Sequence, residues 1–259
     1  MVSFWHELTT NRLALGTKNM TNTEFRTGVI KPVECVKEGF ELIKENYWLL
    51  FAITLVGGLI GGATMYILGG AMVCGIMYAY LRAVDGKPVT FDDLWKGMNY
   101  FGTGLVVILV IIVPLIVFYI FVYISMLGAI LGGAQAGEAG LVGAFVVIGI
   151  IDLVFLIAMV SFHTLLTFSF PLIVDRNLGA IDAMKTSARA VWQNLGGVAG
   201  LIVVNFGLVF LGYLALCIGL YFVIPIMVAG NVVAYRRVFP SLEMRQNLSP
   251  PPPDSYQWS

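Results

Sequence analysis

GMNYFGTGLVVILVIIVPLIVFYIFVYISMLGAILGGAQAG, residues 97–137, runs from Lys96 to Glu138 without one Asp, Glu, Lys, Arg or His. A helix of about 20 apolar residues crosses the hydrocarbon of a bilayer, so this stretch is long enough to span with residues to spare. Three more stretches are of the same kind. No charge falls between Glu45 and Arg82, or between Arg189 and Arg236, and only Asp152 and His163 fall between Glu138 and Asp175. Two of these stretches, Glu45 to Arg82 and Arg189 to Arg236, would overshoot a membrane as single straight helices. They read as helix pairs with tight turns near 64–70 and 217–219. The chain therefore predicts an all-α polytopic transmembrane bundle with six membrane segments, at 48–65, 67–84, 103–131, 141–173, 196–214 and 217–237. Segment two is short and glycine-containing, so it either spans or re-enters. The runs are continuously apolar, unlike the alternating ten-residue strands of a membrane barrel.

Composition agrees. Of 259 residues, 59% are hydrophobic and 12% charged, against about 25% charged in soluble domains. Fifteen Lys and Arg balance fifteen Asp and Glu. A soluble enzyme, a disordered chain and a basic nucleic-acid binder are all excluded on these grounds. Three Cys do not make a disulfide framework, and residues 1–10 lack the apolar core of a cleaved signal peptide.

Six spans would place both termini and the loops 85–102 and 174–195 on one side. All fifteen cations then share that side, while the loop 132–140 opposite carries Glu138 alone. The positive-inside rule makes the shared side cytoplasmic. The expected organisation is a cytoplasmic N-terminal segment over 1–29, a membrane domain over 30–240 and a Pro-rich cytoplasmic tail over 241–259.

Three of the inner segments share a pattern. Each offers an amphipathic stretch that leads into a membrane pair, as expected of cytoplasmic interfacial helices. In the first, Val33, Val36, Phe40, Ile43 and Tyr47 share a face, and Pro32 suits a first helical turn. In the second, Thr90 and Asp93 form a capping-box start before Phe91, Leu94, Trp95, Met98 and Phe101. In the third, Leu178, Ile181, Met184, Ala188, Val191 and Trp192 line one face. Gly39, Gly97 and Ser187 stand at comparable places, which predicts a unit of one interfacial helix and two membrane helices, repeated three times. Amphipathic stretches are also ordinary at any junction of loop and membrane.

Small residues mark expected helix contacts. Gly57–Gly61 and Gly58–Gly62 are overlapping GxxxG pairs, Ala71, Gly75 and Ala79 continue the spacing in segment two, and Gly196–Gly200 opens segment five. Small residues at i, i+4 let helix backbones approach closely in lipid. Packing within one chain and pairing of two copies both fit.

Asp152 and His163 are the charged or chargeable exceptions within the core segments. They share a helix face, about 16 Å apart along the axis. They fit a proton or ion pathway, or interface positions and satisfied buried groups. Asn205 and Asn231 fit hydrogen bonds between helices. There is no HExxH, no GxSxG and no phosphate loop, and the spacing of Cys35, Cys74 and Cys217 does not suggest zinc. No catalytic, cofactor-binding or metal residue is expected.

The run Pro171-Leu172-Ile173-Val174-Asp175, with Ala183-Met184, Ser187, Pro225, Ala234-Tyr235-Arg236 and Phe239, resembles a family of uncharacterised bacterial six-helix inner-membrane proteins. That family is related to the membrane domain attached to some glycerophosphodiester phosphodiesterases. Gly39-Phe40 and the run from Asp93 to Gly97 share the resemblance, which covers about residues 28–240. It implies a helical protein of the bacterial cytoplasmic membrane. The phosphodiesterase domain is absent here, so its activity does not carry over.

The expected function is that of a non-enzymatic membrane scaffold or accessory protein. The rivals are a small transporter or channel using Asp152 and His163, and an intramembrane enzyme acting on lipid. Expected partners are the lipid bilayer and either a second copy or a cytoplasmic protein docking on the tail, with no nucleic acid and no cofactor.

Overall fold

A computed structural model of the chain describes residues 24–135, 137–215 and 218–241, and every regular element among them is helical. Residues 1–23 of the expected N-terminal segment, residue 217 of the turn expected near 217–219, and residues 242–259 of the expected tail lie outside the described residues. In chain order the α-helices are α1 (Pro32–Ile43), α2 (Tyr47–Ala63), α3 (Gly69–Val84), α4 (Phe101–Gln135), α5 (Gly137–Leu165), α6 (Ser169–Arg176), α7 (Ala180–Gln193), α8 (Leu195–Leu214) and α9 (Ile218–Val238). A 3-10 helix occupies Phe91–Tyr100. Five helical stretches, taken across short turns, are long and apolar enough to cross a membrane: Pro32–Ala63, Phe91–Gly132, Gly137–Arg176, Leu195–Leu214 and Gly219–Val238. The first two begin with amphipathic parts. α3 has 16 residues, about 24 Å of helix, short of a hydrocarbon layer of about 30 Å.

Contacts divide the chain into two units, one of residues up to Glu45 together with Gln193 onward, the other Asn46–Trp192. In the first, α1 lies against α9, and α8 against both. Glycines set the approach. A Cβ on Gly39 would lie 2.8 Å from the Ala229 carbonyl carbon and 2.8 Å from the Gly230 nitrogen. Gly197 and Gly200 of α8 meet Ile30 and Pro32 in the same way. The Asn194 side chain accepts the Gly28 N–H at 2.7 Å and donates to the Arg26 carbonyl at 3.1 Å. Arg237 of α9 donates to Glu38 of α1 at 2.6 Å and to Glu34 at 3.4 Å.

In the second unit α3 is central, touching α2, the 3-10 helix, α4 and α6. The turn from α2 to α3 falls where the sequence predicts it. Met65 and Tyr66 take left-handed φ of 48° and 65°, and Thr64 Oγ1 donates to the Ile60 carbonyl at 2.8 Å. Gly70 of α3 and Gly104 of α4 lie backbone to backbone, a crossing that the spacing did not announce.

Several expectations are corrected. The fourth segment is not one helix: it breaks at 166–168 between α5 and α6, and Leu166 and Thr167 donate to carbonyls three residues back. The second amphipathic stretch winds as a 3-10 helix. In that geometry residues i and i+3 eclipse, so Leu94 and Gly97 present one narrow edge, and both reach the backbone around Gly75. The apolar faces of the amphipathic stretches are divided: Val36, Ile43, Leu94, Leu178 and Val191 are buried, and others face outward. Val33 and Phe40, Phe91, Trp95 and Met98, and Ile181 and Trp192 are exposed, whereas Gly39, Leu94, Gly97 and Ser187 are buried. Small side chains face protein because close approach needs them. Of the overlapping pairs, Gly57 and Gly61 meet neighbours, while Gly58 and Gly62 have nothing within 4 Å of a Cβ. At the start of α8, Gly197 takes the packed position and Gly196 is open.

Candidate functional site

The longest apolar helices, α4 and α5, form a hairpin in which the charged residues of the apolar segments lie. α4 has 35 residues and α5 has 29, about 52 Å and 44 Å of helix. α4 continues through Pro114. Val107 and Ile108 of α4 are buried, whereas Val113, Val117 and Tyr119 are exposed.

Asp152 and His163 both turn toward α4, at separate places. The Ser125 hydroxyl lies 3.3 Å and 3.4 Å from the two Asp152 carboxylate oxygens, and 2.9 Å from the Val122 carbonyl. One hydroxyl proton serves only one of these acceptors at a time. His163 reaches Ile111 of α4: its Nε2 is 3.0 Å from that carbonyl oxygen, and its Nδ1 is 2.9 Å from the Met159 carbonyl of α5. Their spacing of about 16 Å along α5 keeps the pair apart. The structure thus brings each to a common helix and not to each other.

Asn205 and Asn231 do meet. Asn205 Nδ2 donates to Asn231 Oδ1 at 3.2 Å, joining α8 to α9. The Asn205 Oδ1 is buried without a hydrogen-bond partner among the described residues. Ala71 and Ala79 are fully buried, and Gly75 lies against the Leu94 carbonyl. These residues serve contacts within the chain.

A polar cluster at the start of the 3-10 helix was legible only as a cap. Thr90 N–H donates to Asp93 Oδ2 at 2.9 Å, completing the capping box. Asp93 is fully buried, and Lys96 donates to its Oδ1 at 2.9 Å while Arg82 lies 3.5 Å from Oδ2. Burial opposes the charged carboxylate. The Lys96 hydrogen bond, the Thr90 N–H and the Arg82 charge outweigh it, and hold Asp93 below the ordinary carboxylate range. Lys96 is raised in turn, chiefly by its hydrogen bond to Asp93.

Ser187 carries a role that only its small size had suggested. Its Oγ accepts the Phe168 N–H at 3.0 Å and donates to the Leu165 carbonyl at 2.7 Å. One hydroxyl therefore meets a donor and an acceptor freed by the break between α5 and α6. Gly39 against α9, Gly97 against α3 and Ser187 against the end of α5 form a series. In each, the amphipathic stretch that leads into one helix pair meets the second helix of the pair before it, and the first pair's stretch meets the last.

Among the described residues, no group of three His, Cys, Asp or Glu side chains is placed to hold a metal ion. The fold defines a class: an all-α helical bundle with helices long and apolar enough to cross a membrane. No family model, no curated protein and no solved structure matches the chain.

Proposed function

We propose that the protein is a multi-pass protein of a bacterial cytoplasmic membrane, with both termini inside, acting as a non-enzymatic scaffold or accessory protein. One observation carries this reading. Asp152 and His163, the charged and chargeable exceptions in the apolar segments, each bond to α4 and are not joined to each other. A pathway for protons or ions needs connected groups or water between them, and these two groups instead serve helix contacts. The exposed Trp95 and Trp192 on the amphipathic stretches support an interfacial position for those stretches. The resemblance to the six-helix family supports the bacterial cytoplasmic membrane as the site.

The test is flux. The purified protein is reconstituted in vesicles, and ion and solute permeation is compared with an Asp152→Asn variant and with empty vesicles. A scaffold leaves permeation at the empty-vesicle level in both. Flux that depends on Asp152 overturns the reading in favour of a transporter or channel.

A further inference from the structure

Arg82 of α3 and Lys96 of the 3-10 helix are held side by side. Lys96 Nζ lies 2.9 Å from one oxygen of Asp93, and Arg82 Nε lies 3.5 Å from the other. Both stand over the Tyr78 ring as well: Nζ is 4.9 Å and the Arg82 guanidinium carbon 5.8 Å from its centroid. Two cations thus share one carboxylate, and one positive charge is left over. We infer that this pair binds the phosphate of an anionic phospholipid, whose acyl chains run beside Trp95 and Met98.

The donors are in place. Arg82 gives Nε–H and one Nη2–H to the Pro88 carbonyl, at 2.8 Å and 2.6 Å, and Lys96 gives one N–H to Asp93. A guanidinium carries five N–H groups and an ammonium three, more than these acceptors take. The Lys96 side chain is 44% exposed and that of Arg82 27%, against 1% for Asp93. The open side of the cluster therefore presents N–H groups, with the carboxylate behind them. Charge-assisted bonds to phosphate oxygens are among the stronger hydrogen bonds.

The level in the fold points to a lipid. Arg82 is the first charged residue after Glu45, and Lys96 is the last before Glu138. Both mark an edge of the apolar layer, where headgroup phosphates lie and where basic pockets between membrane helices recognise them. In a 3-10 helix residues i and i+3 eclipse, so Trp95 and Met98 share an edge next to that of Asp93 and Lys96. Both are exposed, and the chain passes into α4 just beyond them. A cation pair beside an exposed apolar edge fits a phosphate that carries acyl chains better than a free one. Of the other charges nearby, Asp92 stands at the end of the Trp95 edge away from α4, and the loop adds Asp85 and Lys87, of opposite sign. The site needs a membrane around the bundle and is independent of a scaffold role.

The test uses the full chain in a neutral detergent, titrated with short-chain phosphatidylglycerol or phosphatidylcholine, with bound lipid counted by native mass spectrometry. Phosphatidylglycerol should bind about fivefold more tightly or better, the scale of one basic side chain at a membrane surface. Lys96→Gln should abolish that preference and Lys96→Arg should keep it. Lys185→Gln, at an exposed lysine of the same unit, should leave it unchanged. Equal binding of the two lipids by the unaltered chain overturns the inference, and this outcome needs no variant to fold. A preference that survives both Lys96→Gln and Arg82→Gln overturns it too, because the anion then sits elsewhere. Glycerol 1-phosphate separates the two sources of phosphate: displacement of the lipid at equal concentration identifies a soluble-phosphate site and overturns the lipid assignment, whereas retention of the lipid supports it.

Discussion

Gly39 and Ala229 are in contact backbone to backbone: a Cβ on the glycine would lie 2.8 Å from the alanine carbonyl carbon. Neither partner atom is a flexible side-chain end, so Gly39→Ala forces α1 away from α9. The expected loss is about 1–3 kcal/mol, the scale of overpacking. Gly58→Ala is the matched control, because its Cβ meets nothing within 4 Å. In mid-helix it should be neutral or gain up to about 1 kcal/mol. Thermal unfolding in one detergent should rank the variants in that order, and equal melting of the two would contradict the packing described.

Ser187→Ala should loosen the break between α5 and α6. Removing the hydroxyl leaves the Phe168 N–H and the Leu165 carbonyl unmet, a cost of about 1–3 kcal/mol for a buried donor. Hydrogen exchange reads this locally: the Phe168 amide should lose protection while amides in α8 keep theirs.

Acid should release the 3-10 helix. Asp93 is held below its ordinary pKa of 3.8, so the folded state binds the proton more weakly than the unfolded state. The stabilisation is therefore complete above that value and is lost as the pH falls through the lower, folded value. Fluorescence of Trp95, recorded on acidification, should change only in that acidic window. Asp93→Asn should shift the signal already at neutral pH, because Lys96 and Arg82 then lack their carboxylate.

The α4–α5 hairpin is longer than a bilayer core, at about 44 Å for its shorter helix against about 30 Å. It must tilt or emerge. Thicker bilayers should suit it better, so the melting temperature should rise from short-chain to long-chain phosphatidylcholine vesicles. A reporter fused after Gly137 should be found on the outer face, and a cytoplasmic reporter there would refute the six-span topology.

The membrane helices were legible because charge is so costly in lipid that its absence draws their outlines. The stretch from Lys96 to Glu138 encloses α4, expected over 103–131 and found over Phe101–Gln135, and Thr90 with Asp93 yields the capping box. The break at 166–168 was hidden because most of Leu165–Phe168 is as apolar as a continuing helix, and the hydroxyl that meets its freed backbone groups, on Ser187, lies on another helix. The outward faces of Trp95 and Trp192 were hidden for a related reason. Periodicity identifies an apolar face and not what covers it, and lipid and protein both accept one. Asp152 and His163 stood out by type, but their partners, Ser125 and a backbone carbonyl, carry no signal in composition.

The contact of α1 with α9 also sets an order of events during synthesis. α1 is made first, and the surface around Gly39 has to wait for Ala229, nearly the whole chain later. The 3-10 helix, by contrast, finds α3 already made. The nascent chain therefore carries an amphipathic helix without its protein partner until α9 is made, and loss of α9 would strand that helix permanently. Such long-range closure is slow in folding, and it makes truncation near the C-terminal end felt first at the opposite end of the sequence.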